Sequence, residues 1–545
     1  MTTSDPSPVQ VEPGVPGAAG VRSERAQIAR AAGVLMVGVV LSRVLGLARE
    51  QVMSYLWGTT DTVAAFTIAD NVHTMLFDLV ISGMLQAALV PVLSAYAAPE
   101  LRDEFRRIVG ALLVWVFLVV GAAVAVVAIA APWVVLALTA LGGGEAARGP
   151  ETFQLTIRLV RLIVPAVLLL AVSTVLMGAL YALQRFTQPS LALSVRNAAI
   201  VACALALGQA IGVASLVIGV LLGAFGLVVL QLWGLRDCLP RPNLKLWHPA
   251  IRRIFVLYSP IFLGLFANTI ALTIDRNLAW GVDPNALGAM RYATALNQMI
   301  LGLVAAATSL AALPTLSRHA ALGDEVAYQR TLALGLKFVA VLIFPATFGM
   351  AALGWPIVTL LFYHGATDLE GARAIWVALL GYLPGTLFAA FDQVLIFAAY
   401  ARQNTRTPVL VGVLSVGVYF VVALALVRPL GMLGLVLGNT AQFVAHALVM
   451  WWILRRWLGR VGDGTVGRTL RASALAALGM AVLVGGFALL VEQWRAPETA
   501  GLLWRGLVVG GGIGLGALWY VLSMQVLRVD EFLALTRRLR TRLTG

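Results

Sequence analysis

Apolar residues fill long uninterrupted stretches of this 545-residue chain, and polar residues gather in short groups between them. Runs such as Ile108 to Leu138 and Val213 to Trp233 are apolar on every helical face. Neither the alternation of a half-buried strand nor the single stripe of an amphipathic helix fits them. A bilayer hydrocarbon core about 30 Å thick takes roughly 20 apolar residues per helical crossing, whereas a barrel strand takes about ten in alternation. The pattern predicts about fourteen transmembrane helices, over residues 31–47, 62–97, 108–138, 157–183, 191–208, 213–234, 256–282, 286–313, 333–353, 373–399, 408–427, 431–454, 470–491 and 503–525. The second is too long for one straight crossing, and Asp70, Asp78 and Gly83 within it predict a tilted or broken helix beside an aqueous space. The expected class is an all-α polytopic membrane protein.

Composition sharpens this picture. Charged residues are only 12% of the chain and hydrophobic ones 60%, about half the charged share of a soluble domain. The net charge of +14 does not signal nucleic acid, because the basic residues punctuate the apolar stretches and form no stripe with interleaved aromatics. Assigning alternate loops to opposite sides places 26 of the 39 Lys and Arg on one side, among them Arg22, Arg106, Arg241, Arg402, Arg456 and Arg538. The other side holds only Arg49, Arg148, Arg373, Arg428, Arg495 and Arg505. The richer side is expected to be cytoplasmic, together with both termini. Residues 1–30, with several Pro and Gly and no apolar core, read as a retained disordered cytoplasmic tail, and 526–545 as a basic cytoplasmic tail. Cys203 lies in an apolar stretch, Cys238 in a basic loop, and the five His are scattered, so neither a disulfide nor a metal site nor a cofactor is expected.

Sliding the sequence on itself reveals a constant offset of 219 residues. It pairs Pro165 with Pro384, Tyr181-Ala182 with Tyr400-Ala401, Gln184 with Gln403, and Pro189 with Pro408. The register continues without a gap through Gly212, Gly219, Trp233 and Arg236, which pair with Gly431, Gly438, Trp452 and Arg455. Two six-helix lobes are expected, residues 31–235 and 256–457, joined by a cytoplasmic linker at 236–255 and followed by an accessory helix pair at 458–525. An even number of crossings per lobe makes the repeat parallel, and transporters built this way hold substrate between lobes that rock.

A charge at mid-bilayer costs roughly 3 kcal/mol on insertion scales, so each one calls for a partner or a wet cavity. Arg43 lies inside the first span; Arg158, Arg161, Arg196, Arg276 and Arg291 are other basic residues in or at the edges of spans, against Asp70, Asp78, Asp275 and Asp392. Arg158, Arg196 and Arg291 lie near span ends, where snorkelling to the interface is an equal alternative to function. Net positive charge inside the bilayer suits an anionic substrate such as a pyrophosphate head group, because guanidinium forks match phosphate oxygens and stay ionised when desolvated. Asp78, Asp275 and Asp392 are the candidates for coupling or cavity charge.

The chain resembles the MviN/MurJ lipid II flippases of the multidrug/oligosaccharidyl-lipid/polysaccharide exporter superfamily over nearly everything after residue 30. The markers are Ser42-Arg43-Val44-Leu45-Gly46-Leu47-Ala48-Arg49, Thr60-Asp61, Gly83 with Val90-Pro91, Ala130-Ala131-Pro132-Trp133, Arg185-Phe186 with Pro189, Leu313-Pro314-Thr315-Leu316-Ser317, and Tyr400-Ala401-Arg402-Gln403 with Thr407-Pro408. The resemblance implies a V-shaped pair of lobes around a cationic cavity in which Arg43 and Arg49 match first-span arginines the family needs for function; with Arg276, Arg291 and Asp61 they make up the expected substrate-binding set. It departs from the family pattern twice. Phe77-Asp78 stands where an arginine pair is common, and Tyr292-Ala293-Thr294-Ala295-Leu296 replaces a Tyr-Ala-Asp-Arg-Leu segment. Arg276 and Arg291, nearby in sequence, are the expected compensation.

The implied activity is translocation of lipid II, the undecaprenyl-pyrophosphate-linked peptidoglycan precursor, across the bacterial inner membrane by alternating access. The driving force expected is the membrane potential or a coupling cation. Alternatives are a flippase for another isoprenoid-linked glycan and a transport-inactive cell-wall scaffold; the short outer loops argue against a membrane glycosyltransferase. Membrane lipids and cell-wall synthesis proteins are the expected partners of a monomeric chain, with no nucleic acid.

Overall fold

The computed structural model describes residues 18–78, 89–241, 247–256, 275–459, 465–494 and 500–529. Among these, regular structure is entirely helical. The helices of the first half are α1 (Ala18–Trp57), α2 (Asp61–Phe77), α3 (Val90–Ser94), α4 (Arg102–Ile129), α5 (Ala131–Thr139), α6 (Gly144–Ile163), α7 (Pro165–Ala182), α8 (Thr187–Ile211) and α9 (Ala214–Gly234). The second half supplies α10 (Ala286–Ala321), α11 (Glu325–Leu361), α12 (Leu369–Ala401), α13 (Arg406–Leu430) and α14 (Met432–Leu458), and α15 (Val466–Trp494) and α16 (Leu502–Val526) follow.

Ten described helical stretches are long and apolar enough to cross a bilayer. The other expected spans, 31–47, 62–97, 256–282 and 286–313, each lie partly outside the residues whose side chains are described. Outward faces carry large apolar side chains in the open, such as Ile129 at 80% and Leu503 at 87% exposure. Water would penalise such faces on every helix; hydrocarbon does not.

Proline shapes the first half. The expected span 108–138 is interrupted at Ala130, where Pro132 opens α5. The span 157–183 is likewise divided at Val164, because Pro165, without an N–H, is the first residue of α7. In the second half Pro384 sits inside the single helix α12, so the same residue divides one helix and is absorbed by its counterpart.

The 219-residue register is written into the backbone. α8 and α13 are both 25 residues long, and each end is displaced by 219. The helices before them close through left-handed glutamines, Gln184 at φ 57° and Gln403 at φ 58°. Arg185 N donates to Leu180 O at 2.8 Å and Asn404 N to Ala399 O at 3.0 Å, the same C-terminal capping bond in each half. Gly212 and Gly431, at φ 62° and 57°, turn the chain into α9 and α14. α8 then packs along α9, and α13 along α14. The last two helices pack on α11 through a cluster that includes Val341, Leu353, Met480, Val484 and Tyr520. Arg505 anchors them, donating to Thr359 O at 2.9 Å and Tyr363 O at 2.7 Å at the end of α11, where unpaired carbonyls favour a cation.

Candidate functional site

Two sets of polar contacts join the halves. The first lies where α1 ends and α2 begins. Ser54 and Thr367 share a 2.6 Å hydroxyl contact, Ala366 N donates to Tyr55 O at 2.8 Å, and the Tyr292 hydroxyl donates to Gly58 O at 2.8 Å. Arg148 pairs with Asp61 and donates to the carbonyls of Trp280 and Asp283, both at 2.8 Å. Asn277 holds the backbone at Ala137 and Leu141, at 2.7 and 2.8 Å. Gly142 and Gly281 bring the two backbones so close that a Cβ on Gly281 would lie 2.1 Å from Gly142 O. This end of the bundle is sealed.

At the opposite end, the ion pairs among the described residues stay within a half: Arg185 grips Asp237, with Nη2 2.6 Å from Oδ2, and Arg402 pairs with Glu325. The Arg185 fork holds the loop carboxyl of Asp237 down to about 2. A cavity of 1060 Å³ lies here, its lining including Val39, Ser94, Arg102, Tyr181 and Arg185.

The second set of contacts is a charge network among α1, α2, α8 and α10. Glu50 is its centre, with a side chain only 3% exposed. It accepts from Arg49 Nε at 3.1 Å on its own helix and from Arg291 Nε at 2.9 Å across the halves. Arg291 Nη1 also donates to Asp70 Oδ2 at 3.0 Å, and its guanidinium lies 5.2 Å from the Phe66 ring centre. Asn197 Oδ1 receives Arg49 Nη1 at 3.5 Å, while its amide nitrogen donates to Ser42 O at 3.1 Å. Arg196, beside Asn197 on α8, adds its charge to the field at Asp70 and Asp78. Three guanidinium groups thus converge on a few carboxylates, held by helices from both halves. Such forks can exchange a carboxylate for a phosphate oxygen with the same bidentate geometry.

The expected site residues separate into groups. Arg49 and Arg291 meet at Glu50. Arg43 does not join them: its guanidinium donates to Gln298 O on α10 and lies against Gly302, where a Cβ would meet its Cζ at 2.0 Å. α1 is one helix from Ala18 to Trp57. That continuity also places Arg49 within a helix, beyond the expected span end at residue 47. Asp61 belongs to the sealed end with Arg148. Asp78 directly follows the last residue of α2. Asp275 accepts from the Tyr419 hydroxyl at 2.6 Å, neighbouring Arg276 has Nη1 buried without a hydrogen-bond partner among the described residues, and Asp392 lies 2.7 Å from His446 Nδ1.

Sequence reasoning missed Glu50, His73, Asn197 and Arg148. For Glu50 the signal was its place beside Arg49, and for His73 the three-residue spacing from Asp70 on one helix face. Asn197 and Arg148 carried no local signal, since their partners lie 148 and 87 residues away. No cluster of three or more metal-binding side chains occurs among the described residues.

Comparison with known proteins fits this geometry. The family described as lipid II flippase MurJ matches residues 53–502. The probable lipid II flippase MurJ of Vibrio cholerae is 28% identical over 513 residues, covering 91% of this chain and 96% of that protein. The probable lipid II flippase MurJ of Treponema pallidum is 25% identical over 438 residues, covering 78% and 81%. A solved lipid II flippase MurJ in an inward closed conformation superimposes with a TM-score of 0.74 at 18% identity, over 91% of this chain and 99% of that one. An inward-facing multidrug transporter of the MOP superfamily gives 0.65 at 15% identity, over 78% and 98%. These two likenesses speak to the fold, and the family match extends from within α1 into the start of α16: the chain belongs to the lipid II flippase MurJ family.

Proposed function

We propose that this chain is a lipid II flippase, passing the pyrophosphate-linked head group across the bacterial cytoplasmic membrane while the isoprenoid tail stays in lipid. The observation that carries this reading is the meeting of Arg49 from the first half and Arg291 from the second on Glu50. An anion bound there touches both halves at once, which is what a rocking transporter requires of its substrate site. No bond is made or broken, so the protein is a transporter and not an enzyme.

In this reading residues 31–235 and 256–457 are the two moving lobes, and helices 458–525 ride on the second. The end closed by Tyr292, Arg148 and Asn277 faces outward and the Arg-rich end faces the cytoplasm with both termini, following the positive-inside rule. The driving force is the membrane potential or a coupling cation. Partners are lipid II, surrounding lipids and cell-wall synthesis proteins, and the working unit is a monomer.

The test is complementation of a strain depleted of its own flippase, reading the lipid II accessible to an externally added lipid II-cleaving enzyme. Expression of this chain restores both growth and cleavage. Accumulation of uncleaved lipid II despite normal membrane levels of the protein overturns the proposal, and export of a different isoprenoid-linked glycan in that strain assigns the chain to the other substrate.

A further inference from the structure

The network contains one buried titratable group that plays no part in the contacts described above. His73, on α2, is 1% exposed, and neither ring nitrogen has a hydrogen-bond partner among the described residues. Its Nδ1 lies 3.6 Å from Asp70 Oδ1, while the other oxygen of Asp70 receives Arg291. Asp70 therefore stands between an imidazole of the first half and a guanidinium of the second. A neutral, unpartnered imidazole in such a place forfeits its hydrogen bonds; a protonated one needs only a small shift to form an ion pair with Asp70.

We infer that His73 is the proton-binding group of the substrate site, so that loading a pyrophosphate anion is linked to uptake of one proton. This rests on the pyrophosphate reading of the site given above. The charges around His73 can be enumerated. α1 contributes Arg49 and Glu50, α8 contributes Arg196, α10 contributes Arg291, and α2 carries Asp70, with Asp78 just past its end and Asp61 at its start held by Arg148. α6 packs along α2, but its Glu145, Glu151, Arg158 and Arg161 are exposed and its Arg148 is engaged with Asp61; α7 carries no charged residue.

Three arginines face three carboxylates, and their formal charges cancel. An incoming pyrophosphate brings more than one negative charge to this site, and His73 is the group that offsets one of them with a proton from solvent. Linkage is reciprocal: the anion raises the proton affinity of His73 by the same factor by which the proton raises anion affinity, on the order of tenfold for coupled sites of this kind.

The experiment uses the full-length purified chain in lipid nanodiscs and farnesyl pyrophosphate as the probe. Isothermal calorimetry is run at about pH 8, where the probe is fully ionised, in buffers of different ionisation enthalpy. The expected result is uptake of up to about half a proton per probe bound, with affinity that weakens by about threefold at most per pH unit and by about tenfold in total. His73→Gln, verified as folded by its thermal transition, is expected to bind with no proton uptake and a flat pH profile. Binding by the natural chain without proton uptake overturns the proton link but leaves the pyrophosphate site standing. Uptake that persists in His73→Gln assigns the proton elsewhere and also overturns it. Absence of probe binding removes the reading of the site and this inference together.

Discussion

The hairpins α8–α9 and α13–α14 follow the same backbone path and hold different chemistry. Both are entered after a left-handed glutamine, and both turn at a left-handed glycine. Yet Arg196 and Asn197 of α8, which face the charge network, are matched 219 residues later by Ser415 and Val416. Ser415 donates to Gly412 O of its own helix, while four residues on Tyr419 serves Asp275, and His446 of α14 meets Asp392. Those partners have no charged counterparts in the first half: Asp392 aligns with Ser173 and His446 with Leu227. Residues that dictate chain path are repeated, and the buried charges of the network and of the Asp275 and Asp392 contacts are not. The first half holds the larger part of the charge network, and Arg291 is the contribution of the second.

The comparison breaks most severely at Arg291. Arg291→Ala takes the guanidinium away from buried Asp70 and leaves Glu50 with Arg49 alone, and removing one partner of a buried ion pair costs about 3–5 kcal/mol. Complementation is expected to fail and the thermal transition of purified protein to fall; Arg291→Lys recovers folding better than transport, because a point charge cannot serve both carboxylates as a fork does. A transport-competent Arg291→Ala protein of unchanged stability would remove the inter-half site.

Arg43 offers a cleaner separation of binding from folding. Its contacts are a carbonyl and a glycine, so Arg43→Ala leaves no buried carboxylate unpaired. Transport is expected to be lost with membrane levels preserved, and Arg43→Lys to restore it only partly, read by complementation alongside quantitative blotting.

Much of this contrast was legible beforehand. Pro165, Gln184, Gly212 and their partners 219 residues on are local determinants of helix ends and turns, so their register translates directly into matched helices. Arg43 and Arg49 stood out because charge in an apolar run demands an explanation. What failed was the end of the first span. Arg49-Glu50 reads as the start of a loop, yet α1 continues to Trp57 because Arg291, Asn197 and Thr367, distant in sequence, satisfy its polar side chains. For the same reason Asp61 could be recognised as a marker but not as the partner of Arg148. Periodicity reports whether a residue is compatible with lipid, not which distant side chain meets it.

Smaller effects sharpen the comparison. Asp392→Asn alters an ion pair outside the anion site, so it is expected to lower stability by about 1–3 kcal/mol in denaturation while leaving transport far closer to normal than Arg43→Ala does. Gly281→Ala pushes a Cβ into the Gly142 carbonyl and loosens the sealed end, which a Thr59→Cys reporter should register as faster reaction with an impermeant thiol reagent. The smallest effect belongs to Asp237, a surface partner of Arg185 with its side chain 40% exposed. Its carboxyl is depressed to about 2, so the pair stabilises above about pH 4 and is lost as pH falls toward 2. Asp237→Asn should therefore change stability near neutral pH by no more than about 1 kcal/mol, and abolish the difference in strong acid.

The most direct test compares externally cleavable lipid II in flippase-depleted cells expressing the natural chain, Arg49→Ala or Asp275→Asn, each matched for protein in the membrane. Arg49 belongs to the network shared by the halves, whereas Asp275 sits with Tyr419 in the second half alone. The expected result is cleavage restored by the natural chain, abolished in Arg49→Ala and retained in large part in Asp275→Asn. Full restoration by Arg49→Ala would contradict the placement of the substrate anion at the Arg49–Glu50–Arg291 junction.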